Sequence, residues 1–257
     1  MAIKYQSIAE IITISNRNQM SAKSINENKI PPRKALNLIE GLTNYLHYLS
    51  DMGCTGFDCS KESLKLIESL STTCQTLDEI ESRIKNCKLC ELSLRRTNII
   101  FGAGNKKARL IFIGGAPSLD DDKNGTPFTG AAGDLLTNII KAMELTRDDV
   151  YLCTLVKCFP QGNKKPTQKE IKTCLPFLKE QIETIKPEFI CTLGETAAQT
   201  LLNTSEPLSV LRGKFHNYNG MQLIPTYHPS HLLKNPEDKR PVWEDMKKIM
   251  KEYKKNK

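Results

Sequence analysis

"ARLIFIGGAPSLDDDKNGTPFTGAAGDLLTNIIKAMEL", residues 108–145, reads as a buried strand, a loop and a helix. The run ARLIFIG at 108–114 is short and apolar, and AAGDLLTNIIKAMEL at 131–145 continues as a helix. Between Ile113 and Leu135 lie five glycines, two prolines and three consecutive aspartates, the composition of a site loop. The rhythm then repeats. VYLCTLV (150–156) precedes a helix from about 167 to 185, where Thr167 and Glu170 form a capping box with Pro166 just outside it. EFICTLG (188–194) precedes the helix ETAAQTLL, and MQLIPTYHPS (221–230) precedes a helix over 236–254. Apolar runs alternating with helices predict an α/β fold with a central, mostly parallel four-stranded sheet flanked by helices. Ligands of such sheets bind beyond the carboxyl ends of the strands. The loops 114–130, 157–166 and 226–233 should therefore lie together.

The 257 residues carry a net charge of +8, unevenly placed. Residues 1–86 contain ten Lys/Arg and ten Asp/Glu, so the whole excess lies in residues 87–257. A basic half implies an anionic partner, nucleic acid first among them, although a lysine-rich solvated surface gives the same total. The tail KKIMKEYKKNK carries much of the excess. No run of 18 apolar residues exists, so no membrane span is expected. MAIKYQSIAE lacks the pattern of a secretion signal, which predicts a cytoplasmic protein. Nine cysteines in such a chain suggest metal or buried thiols rather than disulfides.

Residues 13–33 are polar and end in Pro-Pro-Arg, the composition of a flexible segment. Residues 34–50 suit an amphipathic helix with His47 on its surface, and 61–86 read as one or two more helices. The expected organisation is an N-terminal flexible segment with a small helical appendage over 1–84, then the α/β domain over 85–257.

CKLC supplies Cys87 and Cys90, and KCFPQGNKKPTQKEIKTC supplies Cys158 and Cys174, separated by 15 residues. A C-x2-C pair with a loop cysteine and a helix cysteine can complete a four-thiolate site, for a [4Fe–4S] cluster or for zinc. A zinc ribbon usually brings a second tight pair, which is absent, so the spacing leans toward iron–sulfur. Cys153 and Cys191 fall in predicted strands and read as core thiols. Cys54, Cys59 and Cys74 belong to the appendage.

Several motifs now line up. GGAPSLDDDKNGTPFTGAAGDLL (114–136), VKCFPQGNKKP (156–166), LRG (211–213) and HPSHLL (228–233) together resemble the family 4, iron–sulfur uracil-DNA glycosylases. The likeness covers roughly residues 85–253. It implies a glycosylase-like fold, uracil-containing DNA as partner, a monomer, and a structural [4Fe–4S] cluster on Cys87, Cys90, Cys158 and Cys174. It also implies base flipping and hydrolysis of an N-glycosidic bond, with negative charge developing on the departing base. On the matching positions, Phe128 stacks on uracil and His228 stabilises the leaving group. Asp121 is the catalytic carboxylate, and Asn163 stands at the active site. Gly114, Gly115, Ala116 and Thr154 line the base, and Ser230 meets a phosphate. Lys164, Arg212 and Leu232 meet DNA, with Leu232 or its neighbour Leu233 as a wedge into the gap left by the base. Lys157, Lys165 and Lys214 are further phosphate contacts. Asp122 supports the loop, Asp120 is solvated, His216 is a hairpin residue, and His231 faces solvent or phosphate.

Three positions depart from the family pattern. Gly115 replaces a glutamate, Ser118 a glycine, and Thr154 an asparagine expected to read the uracil edge. A threonine hydroxyl cannot span two base atoms as an amide does. The leading expectation is a repair hydrolase that leaves an abasic site. The alternative is a glycosylase-fold DNA-binding module with weakened catalysis, and a third, weaker reading is a zinc-stabilised nucleic-acid adaptor.

Overall fold

The computed structural model describes residues 2–3, 57–58 and 76–255. His47, Cys54, Cys59 and Cys74 lie outside the described residues. The chain divides into two compact units, residues 1–74 and 75–257. In the first, β1 (Ala2–Ile3) pairs antiparallel with β2 (Phe57–Asp58).

The second unit opens with α1 (Leu77–Ile84), capped by Thr76 and Glu79 in a reciprocal capping box. Leu77, Ile80 and Ile84 are buried in the unit's core. The compact unit thus begins ten residues before the limit expected after residue 84, because an apolar helix face belongs to it.

The sheet has six strands, two more than the sequence shows. Its centre is the expected parallel set: β4 (Leu110–Gly114), β5 (Tyr151–Thr154), β6 (Phe189–Leu193) and β8 (Met221–Thr226). Short antiparallel strands, β3 (Ala103–Gly104) beside β5 and β7 (His216–Tyr218) beside β8, close the two edges. Two or three residues leave no periodic trace, so these edges were invisible in the apolar pattern. His216 is a hairpin residue, as expected.

Side chains alternate across β4. Ile111 and Ile113 join α1, α4 (Gln168–Ile185) and α5 (Glu195–Leu202) on one face, and α6 (Leu208–Leu211) packs on α5. Leu110 and Phe112 join α3 (Gly130–Ala142) and α8 (Lys239–Lys255) on the other. Burial on both faces is why the strands read as continuous apolar runs. The strand order β3-β5-β4-β6-β8-β7 reverses direction at β4. The crevice that such a reversal opens lies beyond Gly114, where the 114–130 loop begins.

Ile80 is fully buried. Ile80→Ala is expected to cost about 2–5 kcal/mol, read in denaturant unfolding. A loss under about 0.5 kcal/mol would place α1 outside the folding unit.

Candidate functional site

The loop after β4 is braced by two buried carboxylates. Ser118 caps α2 (Leu119–Asn124), and its backbone amide and hydroxyl exchange hydrogen bonds with Asp121. Asp121 Oδ1 also accepts from the Thr129 amide at 2.6 Å and its hydroxyl at 2.8 Å. Asp122 accepts from the Thr97 and Asn98 amides at 2.9–3.1 Å, tying the loop to the segment that follows the first cysteine pair. That is the loop-supporting role expected of it, and Asp120 is exposed as expected.

Held at both ends, the loop turns Phe128 into the left-handed region, with φ +56°. Arg147, which sequence reasoning missed, fixes that turn. Its guanidinium donates to the Pro127 carbonyl at 2.9 Å and to the Phe128 carbonyl at 3.1 Å. An arginine 19 residues downstream carries no local signal for this contact. The Phe128 ring lies across Gly114: a Cβ there would stand 2.9 Å from the ring and 3.5 Å from the Thr154 methyl. Gly115 differs. A Cβ at Gly115 would meet nothing closer than the Thr196 Cβ at 3.6 Å, so its bareness is not a packing requirement. Ala116 packs at the edge of the cysteine-rich cluster.

Opposite Phe128 stands His228, its ring centroid 6.1 Å away and tilted by 32°. His228 caps α7 (Pro229–Lys234), whose first residue is the helix-compatible Pro229. The imidazole Nδ1 accepts from the Ser230 amide at 3.2 Å and lies 2.7 Å from the Ser230 hydroxyl. A backbone amide can only donate, so Nδ1 is the acceptor and Nε2 carries the proton of the neutral ring. Burial pushes the imidazole down to about 4, with the Asp121 carboxylate pulling weakly the other way. The site therefore holds a neutral histidine with one free N–H donor.

The segment behind His228 is clamped. Asp245 is buried and accepts from the Thr226 hydroxyl and from Arg212, each at 2.8 Å. Tyr227 stacks on His231 at 4.8 Å with Arg212 on its ring at 5.4 Å, and His231 pairs with Asp238 at 2.6 Å.

These contacts correct three expectations. Arg212 is committed to Asp245 and the Pro241 carbonyl and does not reach outward for DNA. Leu232 is buried in the core, and Leu233 is the exposed member of the pair. Lys157 is buried and donates to the Thr154 carbonyl at 2.8 Å, so it meets no phosphate. The Thr154 hydroxyl donates to the Val156 carbonyl at 2.7 Å, leaving it no proton for a base. Asn163 belongs to the short turn Gln161–Asn163, and its side chain lies outside the described residues. Lys164 and Lys165 are exposed on the same loop, and Lys214 is exposed just before β7.

Cys87, Cys90, Cys158 and Cys174 line one cavity with Lys157, Arg96, Ile84, Leu89, Ile99 and Phe177. Arg96 donates to the Cys158 sulfur at 3.1 Å and to the Cys87 carbonyl at 2.8 Å. Burial pushes the Cys174 thiol up to about 11 and raises Cys158 as well. Among the described residues, no three Cys, His, Asp or Glu converge tightly enough to hold one metal ion. Four cysteine thiols on one cavity are a donor set that a [4Fe–4S] cluster or zinc takes. Cys153 and Cys191 are buried core thiols, as the strand pattern implied.

The family model of the uracil DNA glycosylase superfamily matches residues 101–247. A type-4 uracil-DNA glycosylase of Thermotoga maritima is 39% identical over 178 residues, which is 68% of this chain and 93% of the relative. One from Archaeoglobus fulgidus is 37% identical over 183 residues, covering 68% of this chain and 92% of the relative. One from Saccharolobus solfataricus is 40% identical over 182 residues, covering 67% and 84%.

In NMR titration, the His228 imidazole is expected to change charge near 4. The unfolded chain takes up that proton first, so stability should fall as pH drops from about 6.5 toward 4. Titration at the ordinary histidine value would contradict the burial. Arg147→Met strips two carbonyls of their donor and should cost about 1–3 kcal/mol, with a disturbed Phe128 ring signal. An unmoved Phe128 would show that the turn holds without it.

Proposed function

Because this chain belongs to the uracil DNA glycosylase superfamily, we propose that it is a uracil-DNA glycosylase of the type-4 kind, hydrolysing the N-glycosidic bond of uracil in DNA to leave an abasic site. The observation that carries the chemistry is the His228–Phe128 pair at the carboxyl ends of the parallel strands. The uracil is flipped out of the stack and lies on the Phe128 ring, at an unpairing cost of about a few kcal/mol. As the bond breaks, negative charge gathers on the uracil and positive charge on the sugar. The neutral His228 donates its Nε2 proton in a hydrogen bond to the growing anion. A neutral donor fixed before the reaction stabilises that charge without a reorganisation cost. A cationic histidine is not required, which agrees with burial holding the ring deprotonated at neutral pH.

Asp121 has three of its acceptor directions taken by Ser118 and Thr129. A carboxylate accepts about four hydrogen bonds, so one direction remains, and its role is to orient water on the sugar side while bracing the loop. Asn163 assists at the active site. Gly114, Gly115 and Ala116 offer backbone to the base, and Thr154 offers its methyl group and oxygen lone pairs. Ser230, Lys164, Lys165 and Lys214 meet phosphates, and Leu233 takes the wedge position that the buried Leu232 cannot.

Cys87, Cys90, Cys158 and Cys174 hold a [4Fe–4S] cluster. It supplies structure, joining the residue 87–90 segment to α4 and to the end of β5. Among the described residues no helix is long and apolar enough to cross a membrane. A thiolate-held cluster suits a reducing compartment, and we place the protein in the cytoplasm as a monomer acting on DNA. Residues 1–74 form a separate unit, and we assign them no catalytic part.

The test is uracil release from uracil-containing oligonucleotides under single-turnover conditions. Wild type should release uracil, and His228→Ala should slow release by about 10²–10³-fold, as for the loss of one donor to a developing anion. Gly115→Glu combined with Thr154→Asn should fold, given the open space at Gly115, and should release uracil faster. No release by cluster-loaded wild type would sink the catalytic reading.

A further inference from the structure

A buried lysine stands between the base site and the cysteine site, and the chemistry above makes no use of it. Lys157 is 2% exposed and lines the cavity of the four cysteines. Its ammonium donates to the Thr154 carbonyl at 2.8 Å. Cys153 and Cys174 are its titratable neighbours, and the Lys157 backbone amide bonds to Cys174. Among the described residues no carboxylate forms a salt bridge with Lys157. Burying an ammonium against one neutral acceptor is costly unless a counter-charge is present. Arg96 brings a second cation to the same cavity through the Cys158 sulfur. Among the described residues that line the cavity, the sulfurs are the one source of negative charge. Four thiolates around a [4Fe–4S] core, or around zinc, carry a net charge of about −2. Two cations match it.

We propose that Lys157 and Arg96 are the charge partners of the four-thiolate metal group, and that Lys157 also ties that group to the wall of the base site through Thr154. This rests on the reading that Cys87, Cys90, Cys158 and Cys174 hold such a group. Lys157 touches neither base nor sugar, so it is a positioning residue. Cations beside a thiolate site stabilise its negative charge and favour uptake of an electron. Outer partners of this kind are typically worth 10–100-fold in metal affinity.

Purified full-length wild type, Lys157→Met and Arg96→Gln are compared for iron, sulfide and zinc content, reduction potential, and rate of metal loss to a chelator. Both variants should lose metal about 10–100-fold faster than wild type and shift the potential to more negative values, with an unchanged far-ultraviolet circular dichroism spectrum. Unchanged loss rates and potentials overturn the proposal. If Lys157→Met does not fold, the Arg96→Gln rim variant decides by the same two readouts. Zinc in place of iron and sulfide in the wild type would refute the cluster reading alone, and the loss rates would still decide on the cations. A wild type holding no metal overturns both.

Discussion

Two adjacent buried carboxylates, Asp121 and Asp122, set the geometry on which the proposed base site depends. A buried charge is tolerated only when its oxygens are hydrogen-bonded. Asp121 finds its donors at Ser118 and Thr129, so the loop must close on itself before α3 begins. Asp122 finds its donors at Thr97 and Asn98, so the loop must also dock on the segment that follows the first cysteine pair. With both satisfied, little freedom remains for residues 123–128. Phe128 is delivered into a conformation that a phenylalanine alone would avoid. Arg147 holds that turn from behind, and Gly114 leaves room for the ring.

The same logic governs the other wall. A proline and a histidine begin α7, and the histidine caps it with its ring nitrogen. One backbone amide thereby chooses the tautomer, and burial chooses the neutral state. The histidine loop is anchored underneath by the Arg212–Asp245–Thr226 network and by Tyr227 packed between Arg212 and His231. A donor aimed in advance at developing charge needs such support, because a side chain free to swing would lose the advantage of preorganisation.

The base site and the cysteine cavity are one construction joined at the end of β5. Within a few residues Thr154 closes the strand, Lys157 turns inward to hold the Thr154 carbonyl, and Cys158 contributes its sulfur to the cavity. Asp122 makes a second join from the other side. A metal group bound by the thiols would thus stabilise the floor of the base site from outside the reacting centre, and Thr154 occupies the point of contact.

The alternation of strands and helices was legible along the chain because each central strand is buried on both faces and the longest helix carries its own cap signal, Thr167 with Glu170. The four cysteines stood out by their spacing, and Phe128 and His228 by the motifs that resemble the glycosylase family; the structure brings the two rings 6.1 Å apart and the four cysteines to one cavity. The edge strands β3 and β7 were not, since a few residues carry no period. Nor were the fates of Arg212, Lys157 and Leu232. Each reads as a surface or interface residue by type, and each is claimed by a partner that adjacency in sequence does not reveal: Asp245 for Arg212, the cysteine cavity for Lys157, the core for Leu232. What the sequence by itself determined is the local chemistry, namely which segments pair or coil and which side chains can stack, donate or ligate. Only the tertiary structure decided which charges are buried and therefore spoken for, because the cost of burying a charge depends on neighbours that folding alone brings within reach.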